Sequence, residues 1–411
     1  MKTFRLFFLP ALLFAHLAYA LNGYVANGGS DNVSVFDLDT NTVVTTIPVG
    51  LSPILPAISP DRTRVYVTNG GSASVSVIEA ATNTVIATIP VGTFPTDPAL
   101  TPDGETLYVS NAGDGTVSVI DTTTNSVTGT IATGGFPSGI EVLPDGSKVY
   151  VGTGAAGGVA VIETATNTVI TTIPIGGATA ELIASPDGSR VYVANAALTS
   201  LAVIDTPTNT LLTSIPLPDT SLDIAVIPDG SRLYVTLPTP GSVAVVDANT
   251  SMLLTTIPIG ATVAGVAITE DGSKAYVAND VGGGSIHIID TATNTILTFF
   301  SVGSSPQGVA VGPLPFSSRN ARGVAKKDSF LTETDIFNVI TWNPFMTSGS
   351  VTYRIYRDAS LTQLIGTVLP GAPLRFEDHN LKRKTNYTYF VVAEVNGAKI
   401  IIGNINVRSK S

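Results

Sequence analysis

One tyrosine recurs along this chain at an unvarying interval. Tyr24, Tyr66, Tyr108, Tyr150, Tyr192, Tyr234 and Tyr276 stand 42 residues apart, in the contexts YVAN, YVTN, YVSN, YVGT, YVAN, YVTL and YVAN. A fixed period of this length marks a supersecondary unit that is stacked repeatedly, because one such unit cannot bury its apolar face alone. The period therefore constrains the fold before any other property is considered.

Each unit holds four short β-rich runs. In the second these are Ile54–Ile58, Arg64–Thr68, Ser74–Ile78 and Val85–Ile89. Val-Ser-Val-Ile alternates with the period of two that a strand requires. Pro-Asp-Gly or a variant joins the first two runs, and Asp-Gly favours a tight hairpin. Thr-Asn-Thr joins the last two, where Asn and Thr side chains can bond the backbone of the turn. Four strands per roughly 40 residues make one propeller blade. On these motifs residues 22–312 resemble the YVTN family of β-propeller repeats. The resemblance implies a seven-bladed ring and leaves function open, since one fold carries many roles. No Trp-Asp dipeptide supports the WD40 branch.

The ends of the repeat predict how the ring shuts. The first YVAN lacks an inner strand before it, and an extra one, Pro306–Val311, follows the seventh unit. This last strand is expected to complete the first blade and protect the edges of the ring. The fold class read from the sequence is all-β: a seven-bladed propeller of four-stranded, 42-residue blades, then a small β-sandwich.

The expected domains are a signal peptide over 1–20, the propeller over 21–312, a linker over 313–328 and the sandwich over 329–411. Lys2 and Arg5 precede an apolar stretch too short to span a bilayer, and Ala18-Tyr19-Ala20 supplies small residues for cleavage. These features predict an exported monomer without a transmembrane segment, periplasmic or extracellular. The chain has no cysteine, which removes disulfides and thiolate metal sites. Ile340-Thr-Trp342, Val351–Tyr356 and Asn386–Ala393 resemble a fibronectin type III domain, with Trp342 implied as core and Tyr387 as a tyrosine corner. The linker's Pro, Ser, Arg and Lys content predicts an open, trypsin-sensitive segment.

Charge divides unevenly. Residues 21–312 hold 6 Lys/Arg and 24 Asp/Glu, whereas residues 313–411 hold 13 and 7. An acidic propeller repels phosphate, so nucleic acid is not the expected partner. Most propeller acids occupy repeat columns at hairpins. Arg64, Lys148, Arg190, Arg232 and Lys274 also share one column and are read as solvated strand-edge residues.

Positions that break the repeat carry more information. One inner-strand column reads Leu55, Asp97, Gly139, Glu181, Asp223, Gly265 and Gly308; two residues later most blades carry Ala but the fourth carries Glu141. Asp97, Glu141, Glu181 and Asp223 thus fall on four consecutive inner strands, and no inner strand carries Lys or Arg. Like charges around a channel raise one another's pKa and are relieved by water, by protons or by a bound cation. The candidate ligands are calcium, held by Asp97, Glu181 and Asp223, and a basic peptide or amine. Asn69, Asn111, Asn195 and Asn279 could add amide oxygens, although a repeated Asn more simply stabilises its turn. Phe94 and Phe136 precede two inner strands and could stack on a ligand. His287 aligns away from the axis without metal partners.

No nucleophile–base pair appears, so no catalytic residue is assigned. The expected function is a non-catalytic binding or scaffold protein that needs no cofactor, calcium being the one candidate. Its partner would be a protein or a small cationic ligand. The alternatives are a lactonase-like metal-dependent hydrolase, whose only support is the half-ring of acids, and weak nucleic-acid binding through the basic end of the chain.

Overall fold

The computed structural model describes residues 22–311, apart from 261, 281 and 282, and beyond them the strands and some adjoining residues of a second unit between 321 and 408. The segment over residues 1–20 read as a signal peptide, residue 21 and residues 312–320 lie outside the described residues.

Seven four-stranded antiparallel sheets form the blades of a propeller. The second runs Pro53–Ile58, Arg64–Asn69, Ser74–Glu79, Thr84–Pro90 from axis to rim, and the other blades repeat this order. The first blade is built as expected: Pro306–Val311 pairs antiparallel with Asn22–Asn27, placing Tyr24 opposite Ala310.

The repeat residues hold the ring in a consistent way. The second and third strands of each blade are buried almost throughout, and their Val, Ile and Leu side chains fill the space between neighbouring blades. Within that core, the repeat tyrosine sends its hydroxyl to the next blade. Tyr108 Oη donates to Asn167 Oδ1 at 2.7 Å, Tyr150 to Asn209 at 2.6 Å and Tyr234 to Asn294 at 2.6 Å. These asparagines sit at the Thr-Asn-Thr turns with φ of 52°, 53° and 55°. Asn tolerates that left-handed region better than most residues, so one side chain makes the turn and accepts the link.

The column of bases is not simply solvated. Arg64 Nη1 donates to the Thr122 carbonyl, Lys148 Nζ to Thr206 at 3.0 Å, Arg190 Nη1 to Ala248 at 3.1 Å and Arg232 Nη1 to Thr291 at 2.8 Å. Each of these carbonyls belongs to the following blade. The bases are half-buried ties between blades, because their long stems reach across the groove that separates the sheets.

Beyond the propeller, one sheet has the order Ala321–Ser329, Thr334–Trp342, Arg375–Asp378. A second has the order Leu364–Val368, Thr352–Tyr356, Asn386–Val395, Ala398–Arg408. The stretch read as a linker up to residue 328 is therefore a strand from Ala321 onward, paired residue for residue with Thr334–Trp342. Its mixed charges hid the strand, but backbone pairing needs no particular side chain.

Candidate functional site

The first residues of the inner strands surround the mouth of a central channel. A cavity of about 170 Å³ opens there, lined by residues from all seven blades, including Leu55, Asp97, Glu181, Asp223 and Gln307. Three of the four predicted acids thus share one pocket wall. Glu141, two residues further along its strand, is not part of this lining.

Glycines make this arrangement possible. A Cβ at Gly139 would stand 2.5 Å from Oε1 of Glu181, and a Cβ at Gly308 would stand 2.2 Å from Cδ2 of Leu55. Each glycine leaves the space that a neighbour's larger side chain occupies. The glycines interspersed in this column let a narrow channel hold the Leu55 and Glu181 side chains.

The acids have specific partners. Asp97 Oδ2 accepts the N–H of Ile140 at 2.7 Å, Glu141 Oε1 that of Ala184 at 3.0 Å, and Asp223 Oδ2 that of Val266 at 2.7 Å. In all three the donor lies 43 residues ahead, on the inner strand of the next blade. The carboxyls therefore tie inner strands together by satisfying N–H groups that face a neighbouring blade and not a pairing strand. Asp223 Oδ1 also accepts the N–H of Ile224 at 2.7 Å. Glu181 departs from the pattern. Its Oε1 accepts the N–H of Leu182 at 3.0 Å, and its side chain lines the same pocket as Asp97, two blades away.

Burial pushes all four acids toward their neutral forms. Asp97 is raised to about 6 by desolvation, opposed by its interaction with the Glu181 side chain and by the hydrogen bond from the Ile140 N–H. Asp223 is raised to about 7, again chiefly by desolvation, and Glu141 to about 8 by desolvation with a smaller push from the Asp97 charge. Glu181 is raised well above the usual carboxylate range by desolvation and by the charges of Asp97 and Asp223.

The remaining sequence candidates lie elsewhere. Asn69 Nδ2 donates to Ser74 and Ser76, and Asn111 Nδ2 to Thr116 and Ser118, closing the hairpin that each Asn begins. Asn195 and Asn279 donate instead to the carbonyls of Gly176 and Gly260. None of the four lines the pocket. Phe94 and Phe136 are exposed and outside its lining. His287 stacks on Phe299 with ring centroids 5.3 Å apart. Among the described residues no three His, Cys, Asp or Glu side chains are placed to hold a metal ion. Sequence reasoning placed Leu55 in the acid column without giving it a role, and missed Gln307 and Ile54; none of the three carries a charge to draw attention.

No family model matches the chain, and no curated protein does. Solved structures share its fold. Hydrazine synthase of Kuenenia stuttgartiensis aligns with 22% identity and a TM-score of 0.60, over 68% of this chain and 92% of that one. A functionally unknown protein from Desulfotomaculum acetoxidans aligns with 20% identity and a TM-score of 0.63, over 71% and 99%. The dihydro-heme d1 dehydrogenase NirN in complex with DHE aligns with 16% identity and a TM-score of 0.57, over 74% and 78%. At these identities what is shared is the propeller.

Proposed function

We propose that this chain is an exported, non-catalytic binding protein of YVTN type whose axial pocket holds a small cationic ligand, a primary ammonium group in particular. The observation that carries the reading is the composition of the pocket wall. Three blades contribute carboxyls, the lining includes no Lys, Arg or His, and Ile54 and Leu55 supply an apolar side. An ammonium group brings three N–H donors and a positive charge, and has no need of an acceptor. It can take the place of protons that desolvated carboxyls otherwise retain.

Catalysis has less support, because no hydroxyl in the pocket is bonded to a side-chain base. Ser138 Oγ donates to the Thr179 carbonyl, and Thr96 Oγ1 shares a hydrogen bond with Ser110 Oγ. Calcium is also less well served. It takes six to eight oxygens and favours ionised carboxylates, whereas these acids are held neutral or engaged by backbone N–H groups. Export rests on the composition of residues 1–20. The C-terminal unit is read as a fibronectin type III-like spacer or docking module, supported by its three-stranded and four-stranded sheets.

A thermal-shift series tests the reading. Ethylammonium at a hundredfold excess over its dissociation constant should stabilise the fold by about 2.7 kcal/mol. Asp223→Asn should lose that response. Equal shifts in wild type and Asp223→Asn, or none with ethylammonium or short lysine peptides, would place binding elsewhere on the protein.

A further inference from the structure

We propose that the channel-mouth face is a docking surface for a partner polypeptide, which inserts one lysine side chain into the axial pocket and lays its flanking apolar residues on a collar around the mouth. The proposal rests on the reading of the pocket as an ammonium site and names the kind of molecule that carries the ammonium.

The collar comes from five consecutive blades. Leu51, Phe94 and Phe136 lie in the loops that lead into the inner strands of the second, third and fourth blades. Leu198 lies in the loop between Arg190–Asn195 and Ser200–Asp205 of the fifth, against Gly177 of the loop that leads into that blade's inner strand. Leu222 precedes the inner strand of the sixth and lines the pocket itself. These loops stand where the inner strands begin, which is the end at which the pocket opens. All five side chains are exposed, from 39% for Leu222 to 63% for Phe136. Large apolar groups scattered singly need no explanation, but a set gathered around one opening marks an interaction site.

Phe94 occupies the collar against the preference of its own backbone. Its φ is 50°, in the left-handed region that a bulky residue enters at a cost. Ser52 and Ser305 hold the corresponding place, just before a proline, at 49° and 48°. A small polar residue thus satisfies the turn, and an exposed ring gains little from folding.

Charge selects the partner. The propeller's six bases, Arg62, Arg64, Lys148, Arg190, Arg232 and Lys274, all lie in the hairpins between first and second strands or at the start of the second strands, at the opposite end of the blades. The mouth loops carry Asp31, Asp114, Asp219 and Asp280 and no base. An anionic face repels the phosphates of an anionic membrane and attracts an ammonium group. A lysine carries that group on a flexible four-carbon stem, so the charge can enter the pocket while neighbouring residues stay on the collar. A central anchor ringed by contacts that exclude water is the arrangement that dominates binding energy at protein interfaces.

Calorimetric titration of the full chain with capped peptides tests the proposal. Gly-Leu-Lys-Leu-Gly should bind about tenfold more tightly than Gly-Ser-Lys-Ser-Gly, because its leucines reach the collar. Phe94→Ser combined with Phe136→Ser introduces the residue that Ser52 and Ser305 supply in other blades, so the ring should fold. That variant should lose the preference and still bind ethylammonium as wild type does. Replacing the peptide lysine by norleucine should abolish binding. Equal affinities of the two lysine peptides for wild type, or a preference that survives in the double variant, would overturn the collar and leave the ammonium pocket standing. Binding of the norleucine peptide would overturn lysine insertion. Retention of the protein on vesicles of phosphatidylethanolamine and phosphatidylglycerol would assign the face to a lipid surface and overturn the proposal. If neither ethylammonium nor either lysine peptide binds, the pocket reading fails and the docking proposal falls with it.

Discussion

Tyr276 Oη donates a 2.9 Å hydrogen bond to Oδ1 of Asn41, joining the seventh blade to the first across 235 residues of sequence. The same bond links blades elsewhere in the ring, as in Tyr150 to Asn209 at 2.6 Å. The seam is thus tied like any other junction. Tyr276→Phe and Tyr150→Phe should each cost about 1 kcal/mol, the net worth of an ordinary hydrogen bond. Calorimetry should show two similar falls in melting temperature. A several-fold larger loss for Tyr276→Phe would mean that the seam is the weak point of the ring.

Closure itself depends on strand Pro306–Val311. A chain ending at Val302 leaves strand Asn22–Asn27 with an unpaired edge and removes Val309 from the core. Exposed edges recruit other chains. Such a chain should melt broadly or aggregate on heating; a transition as sharp as that of the full protein would contradict the pairing.

The crowded glycine column predicts a coupled pair. Gly308→Ala brings a methyl group to 2.2 Å from Leu55 Cδ2 and 2.7 Å from the Ile54 carbonyl, and overpacking of this kind costs about 1–3 kcal/mol. Leu55→Ala should recover part of that loss, and denaturant unfolding of the two single variants and the double variant measures the coupling. Simple additivity would mean that the two side chains do not compete for space.

Stability should also depend on pH with a sign set by the channel acids. Their folded values lie above their unfolded ones, so the folded state binds more protons, and stability falls as pH rises from about 4 toward the folded values of about 6 to 8. Each tenfold gain in proton affinity corresponds to about 1.4 kcal/mol. Hairpin acids such as Asp187 act oppositely. Hydrogen bonds from Ser185 and Ser189 lower its pKa, so its contribution is lost as pH falls below the ordinary Asp value. The melting temperature should peak under mildly acidic conditions. Glu181→Gln with Asp223→Asn should flatten the decline on the alkaline side, and an unchanged decline would assign it to other groups.

Much of the fold was legible because a period is a global signal. Seven tyrosines at one spacing implied seven blades, and the surplus strand Pro306–Val311 implied closure. Side-chain partners were less legible. The Tyr hydroxyls and the Arg and Lys heads bond groups 56 to 61 residues away in the next blade, a separation that no local pattern exposes. The acid column could be seen, but the backbone N–H groups that its carboxyls accept became visible only when adjacent inner strands were set side by side. Strand Ala321–Ser329 was mistaken for linker because its Arg, Lys and Asp residues broke any alternation of apolar and polar positions.

The central claim is that the axial pocket exchanges protons for a small cation. Titrating ethylammonium into the full protein near neutral pH, in two buffers of different ionisation enthalpy, measures both binding and the protons released. The account predicts heats that differ between buffers by a net proton release, with the difference reduced in Asp223→Asn. Binding heats that are identical in the two buffers, or no binding at all, would contradict it.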